Sequence, residues 1–166
     1  RNEIWIRNGI RVNQMKKHQK YGGAIFKKCL DMCRISPSSV MIHRRIFDEI
    51  GLFDEDLIIC EDYDLWLRIS SKYPVLYLDS MLIKKFGGHA DQLSKNINGI
   101  EQFRIQSLEK ILKNRSLKPS YFNAAKNMVL KKLLIYRSGL IKRNKVKENA
   151  IIEKKIHYWT LMVNSN

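Results

Sequence analysis

The pattern of apolar residues changes near residue 95 and divides the chain into two parts. Before that point, short apolar runs alternate with turns rich in glycine, proline and asparagine, which predicts short strands alternating with short helices. After it, apolar residues recur every three or four positions, which predicts helices. We therefore expect an α/β part over residues 1–95 and a basic α-helical tail over residues 96–166.

The first part contains several predicted strands and two predicted helices. The Asn8-Gly9 turn predicts a hairpin between a strand at residues 4–6 and a return at 11–13. A helix predicted at residues 44–50 ends at Gly51, and a longer one spans residues 61–71. The other predicted strands lie at residues 40–42, 74–78 and 81–83.

The tail carries one clearly amphipathic helix, followed by a further helix. Its apolar face comprises Phe122, Ala125, Val129, Leu133, Tyr136 and Leu140. Residues 138–139 and 143–144 have the composition of helix breakers. The pattern predicts a helical hairpin or a three-helix tail.

The net charge of +15 is concentrated in the tail, where 15 Lys and Arg residues face 4 Asp and Glu residues. A basic surface attracts nucleic acid, anionic lipid or phosphorylated substrates. We expect no nucleic-acid binding, because no zinc knuckle or aromatic-rich RNA-binding phrase is present. Peripheral contact with a membrane is one hypothesis, and packing of the apolar face inside the protein is the other. The basic residues near that face are Lys126, Lys131, Lys132, Arg137, Lys142 and Arg143.

The three cysteines and the absence of targeting segments favour a cytoplasmic location. Cys29, Cys33 and Cys60 show neither a disulfide framework nor zinc-site spacing. Cys29 and Cys33, four residues apart, are predicted to share a helical face, as buried thiols in a reducing compartment. There is no run of eighteen apolar residues and no signal-peptide pattern at the start.

The most informative segment is CEDYDLWLR, residues 60–68. Its carboxylates precede a stripe of Leu65, Trp66 and Ile69, which predicts a helix that begins with acidic residues. The positive end of the helix dipole keeps a carboxylate ionised, so that it can accept a proton. Acidic residues are also common there because each stabilises the helix by about 0.3–1 kcal/mol. The segment alone leaves both interpretations open.

Three phrases in a fixed order carry a family resemblance. They are SSVMIHRR at 38–45, FDEIGLFDE at 47–55 and CEDYDLWLR at 60–68. Together with residues 5–9 and 88–94, they resemble the acceptor-side half of family 2 glycosyltransferases, the inverting enzymes of the GT-A fold. The resemblance covers about residues 3–95. It implies an α/β fold, namely a partial GT-A mixed sheet with an appended α-helical C-terminal extension.

This resemblance implies the reaction and the partners. A sugar passes from a nucleotide-diphospho-sugar donor to a hydroxyl of a glycan or lipid-linked acceptor, as in cell-envelope polysaccharide biosynthesis. Asp62 matches the family's general base, and Glu61 lies beside it as an acceptor-orienting carboxylate. Trp66 is expected to pack beneath the site, with sugar stacking as the alternative.

The resemblance implies further residues around the substrates. Ser38 and Ser39 would line the acceptor cleft, although they equally fit a simple turn. His89 and Lys85 would lie near the diphosphate or its metal, although a solvated loop histidine and solvated strand lysines are the ordinary alternatives.

The family's nucleotide-binding half, with its Asp-x-Asp ligands for Mg²⁺ or Mn²⁺, would precede these phrases. Residues 54–56 and 62–64 match the letters Asp-x-Asp, but both follow the SSVM phrase. We therefore expect a divalent cation in the intact enzyme, bound outside this chain, and weak or absent nucleotide-sugar binding by the chain alone. The alternative is a truncated, inactive copy that acts as a basic binding module at a membrane surface or on a partner protein.

Overall fold

The computed structural model describes residues 2–87 and 99–164. The chain begins in a small mixed sheet. Strands β1 (Asn2–Arg7) and β2 (Ile10–Val12) form an antiparallel hairpin, and β3 (Met81–Gly87) pairs parallel with β1. The strand order is β2-β1-β3. The hairpin turn has positive φ at both Asn8 (50°) and Gly9 (79°), the geometry that suits a tight two-residue turn. The predicted hairpin is confirmed, and the strand predicted at 81–83 is longer than expected.

Short helices occupy the stretch between β2 and β3. Two 3₁₀ turns, Lys16–His18 and Pro37–Ser39, accompany α1 (Phe26–Cys29), α2 (Arg45–Ile50) and α3 (Glu61–Lys72). The two longer helices agree with their predicted bounds to within one residue at each end. Gly51 ends α2 with a φ of 86°, which a residue without a Cβ adopts readily.

Two predicted strands are wrong. Residues 40–42 form no strand, and within residues 74–78 only Val75 makes a bridge, to Gly23. Met41 and Leu76 are 85% and 84% exposed. Their apolar, β-prone sequence favours extended backbone, but a strand also needs a neighbouring strand for its hydrogen bonds. The described structure provides no such neighbour.

Within residues 99–164 the tail forms three helices, which is the second of the two predicted alternatives. They are α4 (Ile100–Leu112), α5 (Pro119–Lys142) and α6 (Val146–Asn164). The break predicted at 143–144 is confirmed, with Asn144 at a φ of 52°. The break predicted at 138–139 is wrong, because α5 continues through Gly139. A glycine inside a helix costs about 1 kcal/mol, and burial of Leu133 and Leu140 on either side offsets that cost.

The tail helices share one hydrophobic core with α1 and α3. The ring of Phe26 stacks on that of Tyr121 with centroids 4.5 Å apart. The buried tail residues include Ile105, Leu108, Ile111, Ala125, Val129, Leu133 and Leu140. The apolar face of α5 therefore packs inside the protein. The predicted boundary between an α/β part at 1–95 and a tail at 96–166 stays a prediction.

Two of the tail's basic residues are internal. Lys126 donates to the Met162 carbonyl at 2.6 Å, and Lys132 donates to Glu101 at 2.9 Å and to the Asp31 carbonyl at 2.8 Å. Both lysines are buried, and burial lowers the pKa of Lys132. These two cations therefore join elements of the fold. Across the residues described, we find no helix with the length and apolar character required to span a bilayer.

Candidate functional site

The site begins at the first turn of α3, where three carboxylates precede a buried stripe. Cys60 enters the helix with a φ of 64°, and Glu61, Asp62 and Asp64 follow in the first turn. Leu65, Trp66 and Ile69 are buried, as their spacing predicted. The acidic first turn lies at the positive end of the helix dipole, which stabilises negative charge.

Asp62 is held by two neutral donors. Its Oδ1 accepts a hydrogen bond from the Tyr63 backbone N–H at 2.6 Å, and its Oδ2 accepts one from the Cys33 thiol at 3.1 Å. The side chain is half-buried. Among residues 2–87 and 99–164, no cation forms an ion pair with Asp62 or with the adjacent Glu61. The carboxylate is thus oriented without being neutralised.

Asp64, two residues later in the same turn, has different partners. It is 1% exposed, and its Oδ2 meets Arg68 Nε at 2.8 Å and Lys110 Nζ at 3.1 Å. Lys110 also pairs with Asp54 at 2.6 Å. Arg68 donates to the carbonyls of Ile50 and Leu52 as well, each at 2.7 Å. This network joins α2, α3 and α4, so Asp64 is matched by fixed charges inside the fold.

An open apolar groove of about 770 Å³ lies on one side of α3. Trp66 and Ile69 form part of its wall, together with Ile35, Ser39 and the extended segment at 74–78. Trp66 is 1% exposed and packs against Leu65 and Ile69. Its Nε1 has no hydrogen-bond partner among the residues described. The indole is a packing residue in the wall of the groove, and its place beneath an acceptor site stays a prediction.

Of the two predicted cleft serines, Ser39 lines the groove and Ser38 does not. Ser39 is buried in the 3₁₀ turn, where its hydroxyl donates to the Ser36 carbonyl at 3.2 Å. Lys20 reaches beneath this turn and binds Ser36 Oγ at 3.1 Å and Glu3 Oε1 at 2.8 Å. The turn is therefore fixed to β1 through a buried ion pair.

Lys85, one of the two residues predicted near a diphosphate, does not join this groove in the described structure. Lys85 lies on the exposed strand β3, and its ammonium is 6.0 Å from the centroid of the Trp5 ring. It is not among the residues that line the groove. His89 lies outside the described residues. The role of both residues stays a prediction.

The carboxylates described do not fit a divalent cation. In the described ranges, no three His, Cys, Asp or Glu side chains come together as metal ligands would. Two pairs of residues match Asp-x-Asp. In the pair at 62–64, Asp62 accepts hydrogen bonds from Cys33 and Tyr63, and Asp64 pairs with cations. Asp54 likewise pairs with Lys110, and its other oxygen accepts from the backbone of Asp56. The residues described therefore lack the set of oxygen ligands that a divalent cation requires.

Cys33 is the site residue that the sequence did not reveal. Since α1 ends at Cys29, Cys33 lies beyond that helix, and the prediction that the two share a helical face is wrong. It contacts Asp62 across 29 residues of sequence. No spacing rule links positions so far apart, so only the tertiary structure could identify this contact.

Comparison with known proteins finds similarity to a limited stretch of the chain. A protein of Rickettsia felis named as an uncharacterised glycosyltransferase is 43% identical over 61 residues, and one of Rickettsia conorii is 39% identical over 61 residues. A third, from Rickettsia bellii, is 37% identical over 60 residues. Each match covers 36% of this chain and 9–10% of the relative.

The chain thus matches about a tenth of the length of these curated relatives. No family profile matches the chain, and no solved structure matches it. What the comparisons establish is that part of this chain is similar to part of proteins named as glycosyltransferases.

Proposed function

We propose that this chain provides the acceptor side of a glycosyltransferase, with Asp62 as its general base. The observation that carries the proposal is the setting of Asp62 at the positive end of α3, oriented by Tyr63 and Cys33 and paired with no cation in the described structure. The likeness to glycosyltransferases of Rickettsia supports sugar transfer in general. The inverting, family 2 and GT-A assignments are finer parts of the proposal and rest on the three sequence phrases.

The reaction uses a nucleotide-diphospho-sugar and an acceptor hydroxyl. The hydroxyl oxygen forms a bond to the anomeric carbon of the donor, while the bond from that carbon to the diphosphate oxygen breaks. The nucleoside diphosphate leaves with the bonding electrons, and the hydroxyl proton passes to Asp62. Such a base contributes about 10²–10⁴-fold to the rate. Attack opposite the leaving group inverts the configuration of the anomeric carbon.

The neighbouring residues take supporting parts in this proposal. Glu61 has no hydrogen bond or ion pair to another described side chain, so it is available to orient acceptor hydroxyls beside Asp62. Ser39 and Trp66 shape the groove that receives the acceptor, a glycan or a lipid-linked sugar. Ser38 is exposed next to that groove wall. The setting proposed is the cytoplasmic face of a membrane, in cell-envelope polysaccharide synthesis.

The alternative of a basic binding module has less support. It needs an apolar helix face with lysines beside it, free to meet a membrane or a partner. The predicted face of α5 is instead part of the core, and Lys126 and Lys132 bind groups inside the protein. The structure therefore favours the proposal centred on α3.

A transfer assay tests the proposal directly. The protein as its gene encodes it is incubated with nucleotide-diphospho-sugars, Mg²⁺ or Mn²⁺ and an extract of envelope lipids and glycans. We expect release of the nucleoside diphosphate from one of the donors and a product of inverted anomeric configuration by NMR. Retention of configuration would contradict the family 2 assignment, and the absence of release with every donor would contradict sugar transfer.

A second measurement tests whether this chain is the acceptor side. Isothermal titration of the chain alone with nucleotide sugars and Mn²⁺ should show weak or no binding, since the residues described lack a diphosphate-metal site. Micromolar affinity for a donor would mean that the donor site lies within these residues.

A further inference from the structure

The Cys33 thiol has two hydrogen-bond acceptors and one proton. Its Sγ lies 3.1 Å from Asp62 Oδ2 and 3.1 Å from the Ile35 carbonyl oxygen. An S–H group donates one hydrogen bond at a time, and it is a weak donor. Both acceptors are within reach of the same sulfur position, so the thiol can alternate between them by rotating its S–H about the Cβ–Sγ bond.

The surroundings of Cys33 keep this proton in place. Burial raises the pKa of the Cys33 thiol well above its usual value, and the negative charge of Asp62 raises it further. The thiol therefore remains an S–H donor near neutral pH and does not become a thiolate nucleophile.

Cys33 also connects Asp62 to a residue of the groove wall through its two acceptors. Its second acceptor, Ile35, is one of the residues that line the groove, whereas Asp62 is not. A molecule that enters the groove therefore contacts the residue whose carbonyl competes with Asp62 for the thiol proton. This arrangement links occupancy of the groove to the hydrogen bonding of Asp62.

We propose that Cys33 is a positioning residue for Asp62, an inference that rests on the proposed function. Without acceptor, the thiol donates mainly to Oδ2 and fixes the orientation of the carboxylate, and the Ile35 carbonyl is the minor acceptor. When the acceptor hydroxyl binds Oδ2, the thiol turns to the Ile35 carbonyl, so neither the oxygen nor the thiol loses its hydrogen bond. A weak donor suits this exchange, because the bond that must be released is weak.

The contact is tested on the chain alone by Raman spectroscopy of S–H stretching. Subtracting the spectrum of Cys33→Ala isolates the Cys33 band, which should contain two components, one for each acceptor. In Asp62→Ala only the component due to the Ile35 carbonyl should remain, and Asp62→Asn provides a second variant of nearly unchanged shape. Cys29→Ala, which removes a buried thiol with no bond to Asp62, should leave both components intact. A Cys33 band that is unchanged in both Asp62 variants would overturn the proposal.

Kinetics of the gene-encoded protein test the positioning role. Cys33→Ala should lower kcat/KM for the acceptor about 3- to 10-fold, which corresponds to one weak hydrogen bond. The change should lie mainly in KM, because the thiol no longer contacts Oδ2 once the acceptor is bound. Cys33→Ser keeps a donor of similar shape and should restore most of kcat/KM, while Cys29→Ala should have no effect.

The two proposals fail in different ways. Normal transfer by Asp62→Asn would refute Asp62 as base and the positioning proposal with it. An inactive Asp62→Asn combined with wild-type kcat/KM for the acceptor in Cys33→Ala would refute the positioning role alone.

Discussion

Asp62 and Asp64 belong to the same helical turn but have different surroundings. Asp64 is enclosed and meets Arg68 and Lys110, which fix it by charge. Asp62 is half-buried and accepts hydrogen bonds from a backbone N–H and from the Cys33 thiol. One carboxylate is paired with cations inside the fold, and the other has no cation partner among the residues described.

This difference indicates which of the two can do chemistry. A carboxylate that takes up a proton loses its ion pairs, so protonation of Asp64 would break contacts among three helices. Protonation of Asp62 breaks no ion pair in the described structure. The comparison therefore assigns a structural role to Asp64 and supports the proposal that Asp62 accepts the proton.

The largest expected effect is loss of transfer in Asp62→Asn. The amide cannot accept the hydroxyl proton, so the rate should fall about 10²–10⁴-fold, while the free energy of unfolding should fall by about 1 kcal/mol or less, as expected for one carboxylate in a first helical turn. Nucleoside diphosphate release and urea denaturation measure the two quantities. Glu55→Gln, which changes an exposed carboxylate just before α3, is the control and should keep full activity.

Asp64→Asn should have the opposite profile. It leaves Arg68 and Lys110 facing an uncharged amide, and removing one partner of a buried pair costs about 3–5 kcal/mol. Lys110 keeps Asp54 and Arg68 keeps its carbonyl partners, so we expect a loss of about 2–3 kcal/mol in urea denaturation. Asp56→Asn, at an exposed position, should change stability by less than about 0.5 kcal/mol. Equal effects of Asp62→Asn and Asp64→Asn on stability would remove the distinction between the two residues.

Glu3 extends the comparison to a third carboxylate, one that is paired and buried. Burial alone would raise its pKa, but hydrogen bonds from Lys20, Ser36 and Trp5 outweigh that effect and lower the pKa of Glu3 to about 2. Its contribution to stability is therefore fully present above the unfolded value of 4.5 and is lost as the pH falls towards about 2.

Glu3→Gln should therefore reduce stability by about 2 kcal/mol at neutral pH. The difference between wild type and variant should shrink as urea denaturation is repeated at pH values from 4.5 down to 2. Glu55→Gln again serves as the control, with a small difference that does not vary with pH. A Glu3→Gln difference that is constant from pH 7 to 2 would contradict the ion pair with Lys20.

The smallest expected effect is a change in stability and concerns the cations of the tail. Two adjacent lysines, one buried and one exposed, allow a matched comparison. Lys132 is buried and binds Glu101 and the Asp31 carbonyl, whereas Lys131 is exposed. Lys132→Met should cost about 1 kcal/mol, because Glu101 keeps its ion pair with Arg104. Lys131→Met should be neutral within about 0.5 kcal/mol in thermal denaturation. If both variants destabilise equally, the internal role of Lys132 is wrong.

The sequence alone determined the features that depend on near neighbours. The Asn8-Gly9 hairpin, the end of α2 at Gly51, the start of α3 at Glu61 and the break at Asn144 were all predictable. In each case the signal and its structural result lie within a few residues, so backbone preferences and helical periodicity suffice. The order of the three phrases likewise drew attention to Asp62.

The tertiary structure determined which residues contact each other, and therefore which carboxylate has no cation partner among the residues described. Strands predicted at 40–42 and 74–78 did not form, because β-propensity supplies no hydrogen-bond partner. The thiol of Cys33 approaches Asp62 across 29 positions, and Lys110 approaches Asp64 across 46. Asp62 and Asp64 look equivalent in the sequence, but in the described structure Asp64 is paired with cations and Asp62 is not. The difference arises because burial and pairing depend on distant segments that folding brings together.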